Sequence, residues 1–153
     1  MQESSVEAQW NRRDWMSLMA RAPEGRITEL AVAAGLDLPS DWLRRPETGA
    51  VMVRGRAGGT GAAFNLGEMT VTRCSVALGG GAVGHGYVQG RSTSDSTWAA
   101  RIDAGLQGPE AERLQAAILA PLAAEEDARR ARRARKAAAT KVDFFTMVRG
   151  EDR

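Results

Sequence analysis

Apolar residues at Trp15, Leu18, Met19 and Ala22 recur at i, i+3, i+4 and i+7, which predicts a helix with one buried stripe. Pro23 ends it. Ile27, Leu30, Ala31 and Ala34 repeat the spacing, and Gly35 suits the left-handed position after a helix C-terminus. Residues 1–45 are thus expected to be helical. From Pro46 the period drops to two, in a stretch rich in Val, Thr and Gly. Val51-Met52-Val53-Arg54, Met69 to Leu78 and Ala82 to Gln89 each predict a strand. Gly79-Gly80-Gly81 is a tight-turn signal, and Asn65-Leu66-Gly67-Glu68 predicts an earlier reversal. Connections this short force antiparallel neighbours, so residues 46–91 read as a meander. Helical spacing returns at Trp98, Ile102 and Leu106, with Ser94 or Asp95 as N-cap. Pro109 fits the first turn of a further helix bearing Leu114, Ile118 and Leu122, which Pro121 should kink or interrupt. Residues 92–141 are accordingly helical. Helices, antiparallel sheet, helices: the fold class is α+β, and the 153 residues fit one domain.

Residues 142–150 break the pattern. Extended, they put Val142, Phe144 and Val148 on one side and Phe145 and Met147 on the other, leaving neither side for water. Val142, Asp143, Phe144, Phe145, Met147, Val148 and Arg149 are therefore read as a docking tail, covered either by the domain itself or by another protein. Before it, Glu125 to Lys141 holds strong helix formers without a large apolar residue. The basic run Arg129 to Lys136 admits two readings, a nucleic-acid surface or a solvated helix laid on another surface by Ala128, Ala131 and Ala134. Glu125 and Glu126 stand four residues before Arg129 and Arg130, and no aromatics interleave with the base, which favours the second. A net charge of +2 gives a weak field, so nucleic acid is not an expected partner.

The single cysteine, Cys74, allows no disulfide framework and fits a small core residue in a reducing cytoplasm. The first residues lack the pattern of a secretion signal, and no apolar run reaches transmembrane length; no membrane partner is expected. His85 is the only histidine and has no Cys or carboxylate spacing to complete a metal site. Arg56-Ala57-Gly58-Gly59-Thr60-Gly61 has the glycine density of a phosphate cradle but lacks the Lys-Ser/Thr of a P-loop. A flexible loop is the plainer reading. Arg54, Arg56 and Arg73 would complete an anion site if they gathered at the glycines, and Arg91 opens a Ser/Thr-rich helix start that suits an anion. No catalytic residue emerges.

Several stretches have a further meaning together: Arg45-Pro46-Glu47-Thr48-Gly49, Arg56 to Gly61 with Phe64, Gly67-Glu68-Met69-Thr70-Val71-Thr72-Arg73, Tyr87-Val88-Gln89-Gly90-Arg91, Val142 to Gly150, and the early Trp15-Met16. In order and spacing they resemble the PhnG family, the G subunit of the carbon–phosphorus lyase core complex of phosphonate degradation, from about Trp15 to Gly150. The resemblance implies work with the H, I and L subunits, transferring the ribose triphosphate of MgATP to a phosphonate such as methylphosphonate. Adenine leaves, and α-D-ribose 1-methylphosphonate 5-triphosphate forms. It further implies a cytoplasmic core shared with H, I and J, closest to I, with K and L as functional partners. The J subunit is the radical enzyme; this chain has no ligand set for an iron–sulfur cluster. The resemblance implies no cofactor held by this chain, MgATP being the substrate of the complex, and no activity alone. Its role is then either purely structural or a share in anion binding through Arg56, Gly58, Gly59, Thr60, Gly61, Arg73 and Arg91.

Overall fold

The computed structural model describes residues 10–142. Helix α1 spans Arg12–Ala20 and buries Trp15, Leu18 and Met19; the Asn11 side chain caps it by accepting from the Asp14 N–H at 3.0 Å. Helix α2 spans Arg26–Ala33 and ends as the glycine foretold. Gly35, at φ +57°, lets its own N–H reach the Val32 carbonyl while Leu36 N–H reaches that of Ala31, so the last carbonyls are satisfied. The start of α2 has no cap of its own. Asp95, from a later helix, accepts from Gly25 N–H at 2.5 Å, Thr28 N–H at 3.0 Å and Thr28 Oγ1 at 2.7 Å. A buried carboxylate at a helix N-terminus also complements its positive end.

Three antiparallel strands follow in the order β1-β2-β3: Ser40–Arg56, Ala63–Leu78 and Val83–Gln89. The α+β class and the meander hold, but two boundaries move. β1 begins at Ser40, inside the stretch expected to be helical, and runs through Pro46. It can do so because β1 is an edge strand and its pairing jumps from Arg44–Ser75 to Glu47–Arg73, so Arg45 and Pro46 bulge out where no ladder N–H is required. The reversal expected at Asn65 to Glu68 is absent. The chain turns instead at 57–62, and Leu66 is a bulge residue, since Val53 faces Gly67 while Arg54 faces Asn65. A glycine inside a strand often marks a bulge, as Gly67 does beside Leu66. The Gly79–Gly81 turn holds, closed by Leu78 N–H on the Ala82 carbonyl at 2.9 Å.

The strands differ in length, with a consequence for the whole surface. β3 covers β2 only from Val71 to Ala77. Beyond that, β1 and β2 continue from Ala50–Thr70 to Arg56–Ala63 as a two-stranded arm whose residues are mostly exposed.

Helix α3, Thr93–Gly105, is capped by Ser92, whose Oγ accepts from Asp95 N–H at 3.1 Å; Ser94 and Asp95, the expected caps, lie inside the helix. α3 is the middle layer. Its Ser96, Ala100 and Ala104 side meets Gly84 and Gly86 of β3, while Ile102 and Leu106 join Trp15, Leu18, Met19, Ile27, Leu114, Ile118, Leu119 and Leu122 in the main core. The last helical stretch comprises α4 (Ala111–Leu114), a π turn (Gln115–Leu119) and α5 (Ala120–Ala139). Pro121 lacks an N–H and crowds the carbonyl one turn back, and the wide turn before it absorbs both effects. After Leu122, α5 leaves the core. Two ion pairs hold its start: Glu125 with Arg26 at 2.6 Å and Glu126 with Arg21 at 2.9 Å. The hydrogen bonds of Glu125 therefore go to α2 and not to Arg129, its expected partner one turn along.

Candidate functional site

Alternation along β2 and β3 points Cys74 and Gly86 toward α3, so Arg73, Ser75, His85 and Tyr87 stand on the opposite, open face of the sheet. Register with β1 adds Arg44 and Glu47 to that face. Glu47 takes Arg73 Nε at 2.9 Å and also pairs with Arg44, a guanidinium–carboxylate–guanidinium row in which each side chain is about half exposed. Beside it, Ser75 Oγ and His85 Nδ1 are 2.8 Å apart. Three of the motif stretches singled out in the sequence thus converge on one face.

The buried Asp103 gives this neighbourhood a superficial likeness to a nucleophilic triad. Asp103 is fully buried and accepts from Arg12 at 2.7 and 3.1 Å, from Trp15 Nε1 at 2.8 Å and from the main-chain N–H of His85 at 2.9 Å. The carboxylate therefore grips the backbone of His85 and leaves the imidazole, on the far face, unoriented. A base needs that orientation to activate a hydroxyl. Asp103 is a structural tie: with Arg12 and Gln107, which donate to the Val83 carbonyl, it covers the open edge of β3.

Arg56 and the glycines stay together at the arm tip, where Arg56 Nη1 donates to the Gly61 carbonyl at 3.0 Å. Gly58 and Gly59 have φ of +60° and +79°. The N–H groups of Thr60 and Gly61 both turn to the Ala57 carbonyl, so the loop closes on itself. Arg54 shares the strand face of Arg56, but Arg73 does not reach them: the strand from Ala63 to Arg73 spans roughly 30 Å at the usual rise. Arg91 is exposed just before the Ser92 cap of α3. The residues named as one anion site are thus spread over the tip, the sheet face and the head of α3. Of the tail, Val142 is described and exposed; Asp143, Phe144, Phe145, Met147, Val148 and Arg149 lie outside the described residues.

The sequence reading missed the arm itself. Val51, Val53 and Gly55 pair with Met69, Gly67 and Phe64, and cross-strand partners share a side, so one face of the arm carries Val51, Val53, Phe64 and Met69. The bulged Leu66 joins them, lying 3.9 Å from where a Gly55 Cβ would be. Phe64 is 45% and Leu66 66% exposed, an apolar face that nothing in the described chain covers. Period two at Val51, Val53 and Gly55 before the 57–62 turn, and at Phe64 and Leu66 after it, was the available signal.

Cys74, Glu125 and Glu126 serve the fold. Burial pushes the Cys74 thiol up, and it exchanges hydrogen bonds with Ser96. Hydrogen bonds from Arg26 and Arg21 hold Glu125 and Glu126 below the usual carboxylate range. Among the described residues no cluster of His, Cys, Asp or Glu suits a metal ion, and no helix is long and apolar enough to cross a membrane.

The chain is 48% identical over 142 residues to the α-D-ribose 1-methylphosphonate 5-triphosphate synthase subunit PhnG of Rhizobium meliloti (strain 1021), covering 92% of this chain and 90% of that protein. The family described as phosphonate metabolism protein PhnG matches residues 10–150, and the chain belongs to that family.

Proposed function

We propose that this chain is a non-autonomous subunit of an α-D-ribose 1-methylphosphonate 5-triphosphate synthase. With the H, I and L subunits it serves the transfer of the ribose triphosphate of MgATP to methylphosphonate, adenine leaving. The observation that carries this reading is the 48% identity, across nearly the full length of both chains, to a protein bearing that name. The surface supports it. An arm with Phe64 and Leu66 in water and an open sheet face bearing Tyr87 at 39% exposure suit a chain completed by neighbours. In this reading the arm and the 142–150 tail dock on H, I and J subunits, most closely on I, in a cytoplasmic assembly. The chain holds no cofactor of its own.

The test is reconstitution. H, I and L subunits are assayed for adenine release and ribosyl-triphosphate product with and without this chain. Product only when it is present supports the reading; equal turnover in its absence rejects it. A share in the active site, beyond scaffolding, is favoured by the Arg44–Glu47–Arg73 row on the open face. Arg73→Ala in the assembled complex then lowers turnover without loss of assembly, whereas normal turnover rejects Arg73 as an essential contributor.

A further inference from the structure

The basic run of α5 is not uniformly solvated. Glu126, Arg129, Arg130 and Arg133 fall at i, i+3, i+4 and i+7 and so share one helix face. With Arg21 from the end of α1 and Gln89 from the end of β3, they line an open recess of about 360 Å³. Within it Glu126 is taken, held by Arg21 at 2.9 and 3.2 Å and lying 4.0 Å from Arg130. Arg129 and Arg133 make no hydrogen bond or close ion pair among the described residues, although Arg129 lies within the field of Glu125 and Glu126, whose hydrogen bonds go to Arg26 and Arg21. Four arginines against one glutamate leave the lining at a formal +3.

We infer that this recess binds a small compound carrying consecutive phosphate groups, an inorganic di- or triphosphate or the phosphate tail of a nucleotide. Guanidinium groups present paired N–H donors that match phosphate oxygens, and convergent arginines suit a polyanion better than a single charge. Gln89 adds an amide donor. The lining has no apolar side chain, so a ligand with an apolar body finds nothing to hold, and an acidic protein segment finds no anchor for the hydrophobic core that protein interfaces need. The size is that of a small-molecule site. Arg129 and Arg133, like charges one turn apart, repel each other until an anion lies between them.

Calorimetric titration of the full chain with inorganic triphosphate tests the assignment. The double variant Arg129→Ala/Arg133→Ala is compared with Arg132→Ala/Arg135→Ala, which removes equal charge from other faces of the same exposed helix. The inference expects saturable binding in the parent chain, weakened at least about tenfold in the first variant and by no more than about twofold in the second. Circular dichroism confirms that both variants keep their helix. Absence of saturable binding overturns the inference, as does equal loss in both variants, the mark of diffuse charge. So does unchanged triphosphate binding alongside lost co-purification with partner subunits, which would assign the recess to an acidic protein surface. The titration needs neither phosphonate nor partner, so its failure and the failure of the subunit reading are separate results.

Discussion

Gly86→Ala is the sharpest probe of how the layers fit. A Cβ there would lie 1.9 Å from the Ser96 carbonyl oxygen, 2.9 Å from its carbon and 3.0 Å from Ala100 N, whereas ordinary contact begins at 3.4 Å. All three obstacles are main-chain atoms, so no rotamer change relieves them; helix and strand must separate. That separation opens the contact beneath Cys74, Val76 and Ala100, the small core between sheet and α3. Overpacking typically costs about 1–3 kcal/mol. A clash against rigid backbone belongs at the top of that range, so we expect about 3 kcal/mol. In a domain of this size that lowers Tm by roughly 6–12 °C. Gly84→Ala meets the Ala100 oxygen at 1.9 Å and behaves alike. Gly49→Ala is the control: nothing lies within 4 Å of its Cβ, and its strand backbone is ordinary, so stability stays within about 0.5 kcal/mol. Denaturant unfolding followed by far-UV circular dichroism compares all three. A Gly86→Ala protein as stable as Gly49→Ala would refute the close helix–strand packing.

Asp103→Ala strands the donors of Arg12, Trp15 and His85 together and should cost about 2–4 kcal/mol by the same unfolding assay; a loss under 1 kcal/mol would deny it the role of tie. Glu125 and Glu126 titrate lower folded than unfolded, so their contribution is complete above the unfolded value of about 4.3 and is lost as pH falls through the lower folded values. Thermal scans below that pH should show a fall in Tm that is shallower in Glu125→Gln/Glu126→Gln, and an identical slope in both proteins would contradict the pairing. Cys74 is 2% exposed with its thiol pKa raised, so a thiol reagent should label it only at the rate of unfolding; fast labelling of the native chain is the adverse result.

Much of the fold was legible because its signals are local. The stripes Trp15–Leu18–Met19 and Ile27–Ala31 carried α1 and α2, Gly35 carried the end of α2, and Gly79–Gly81 carried the β2–β3 turn. What failed depended on neighbours distant in sequence. Pro46 looked like a boundary because composition and period change there, yet β1 runs through it, as only an edge position beside a bulge admits. Asp95 looked like the cap of its own helix, yet its partner is the head of α2, reached only after folding. The site was less legible still. Arg56 and Arg73 share a residue type, but register separates them, and it is register that brings Glu47 to Arg73 and Ser75 to His85. Gly84 and Gly86 showed no purpose until α3 lay against them.

The most direct test of the subunit account is co-purification of this chain with the H, I and J subunits, comparing the parent with Phe64→Glu/Leu66→Glu. Both positions are exposed, so the variant keeps its fold by circular dichroism. The account predicts that the parent elutes within the assembly and that the charged arm elutes alone. A charged-arm variant that assembles as well as the parent, or a parent chain that never joins the other subunits, would contradict it.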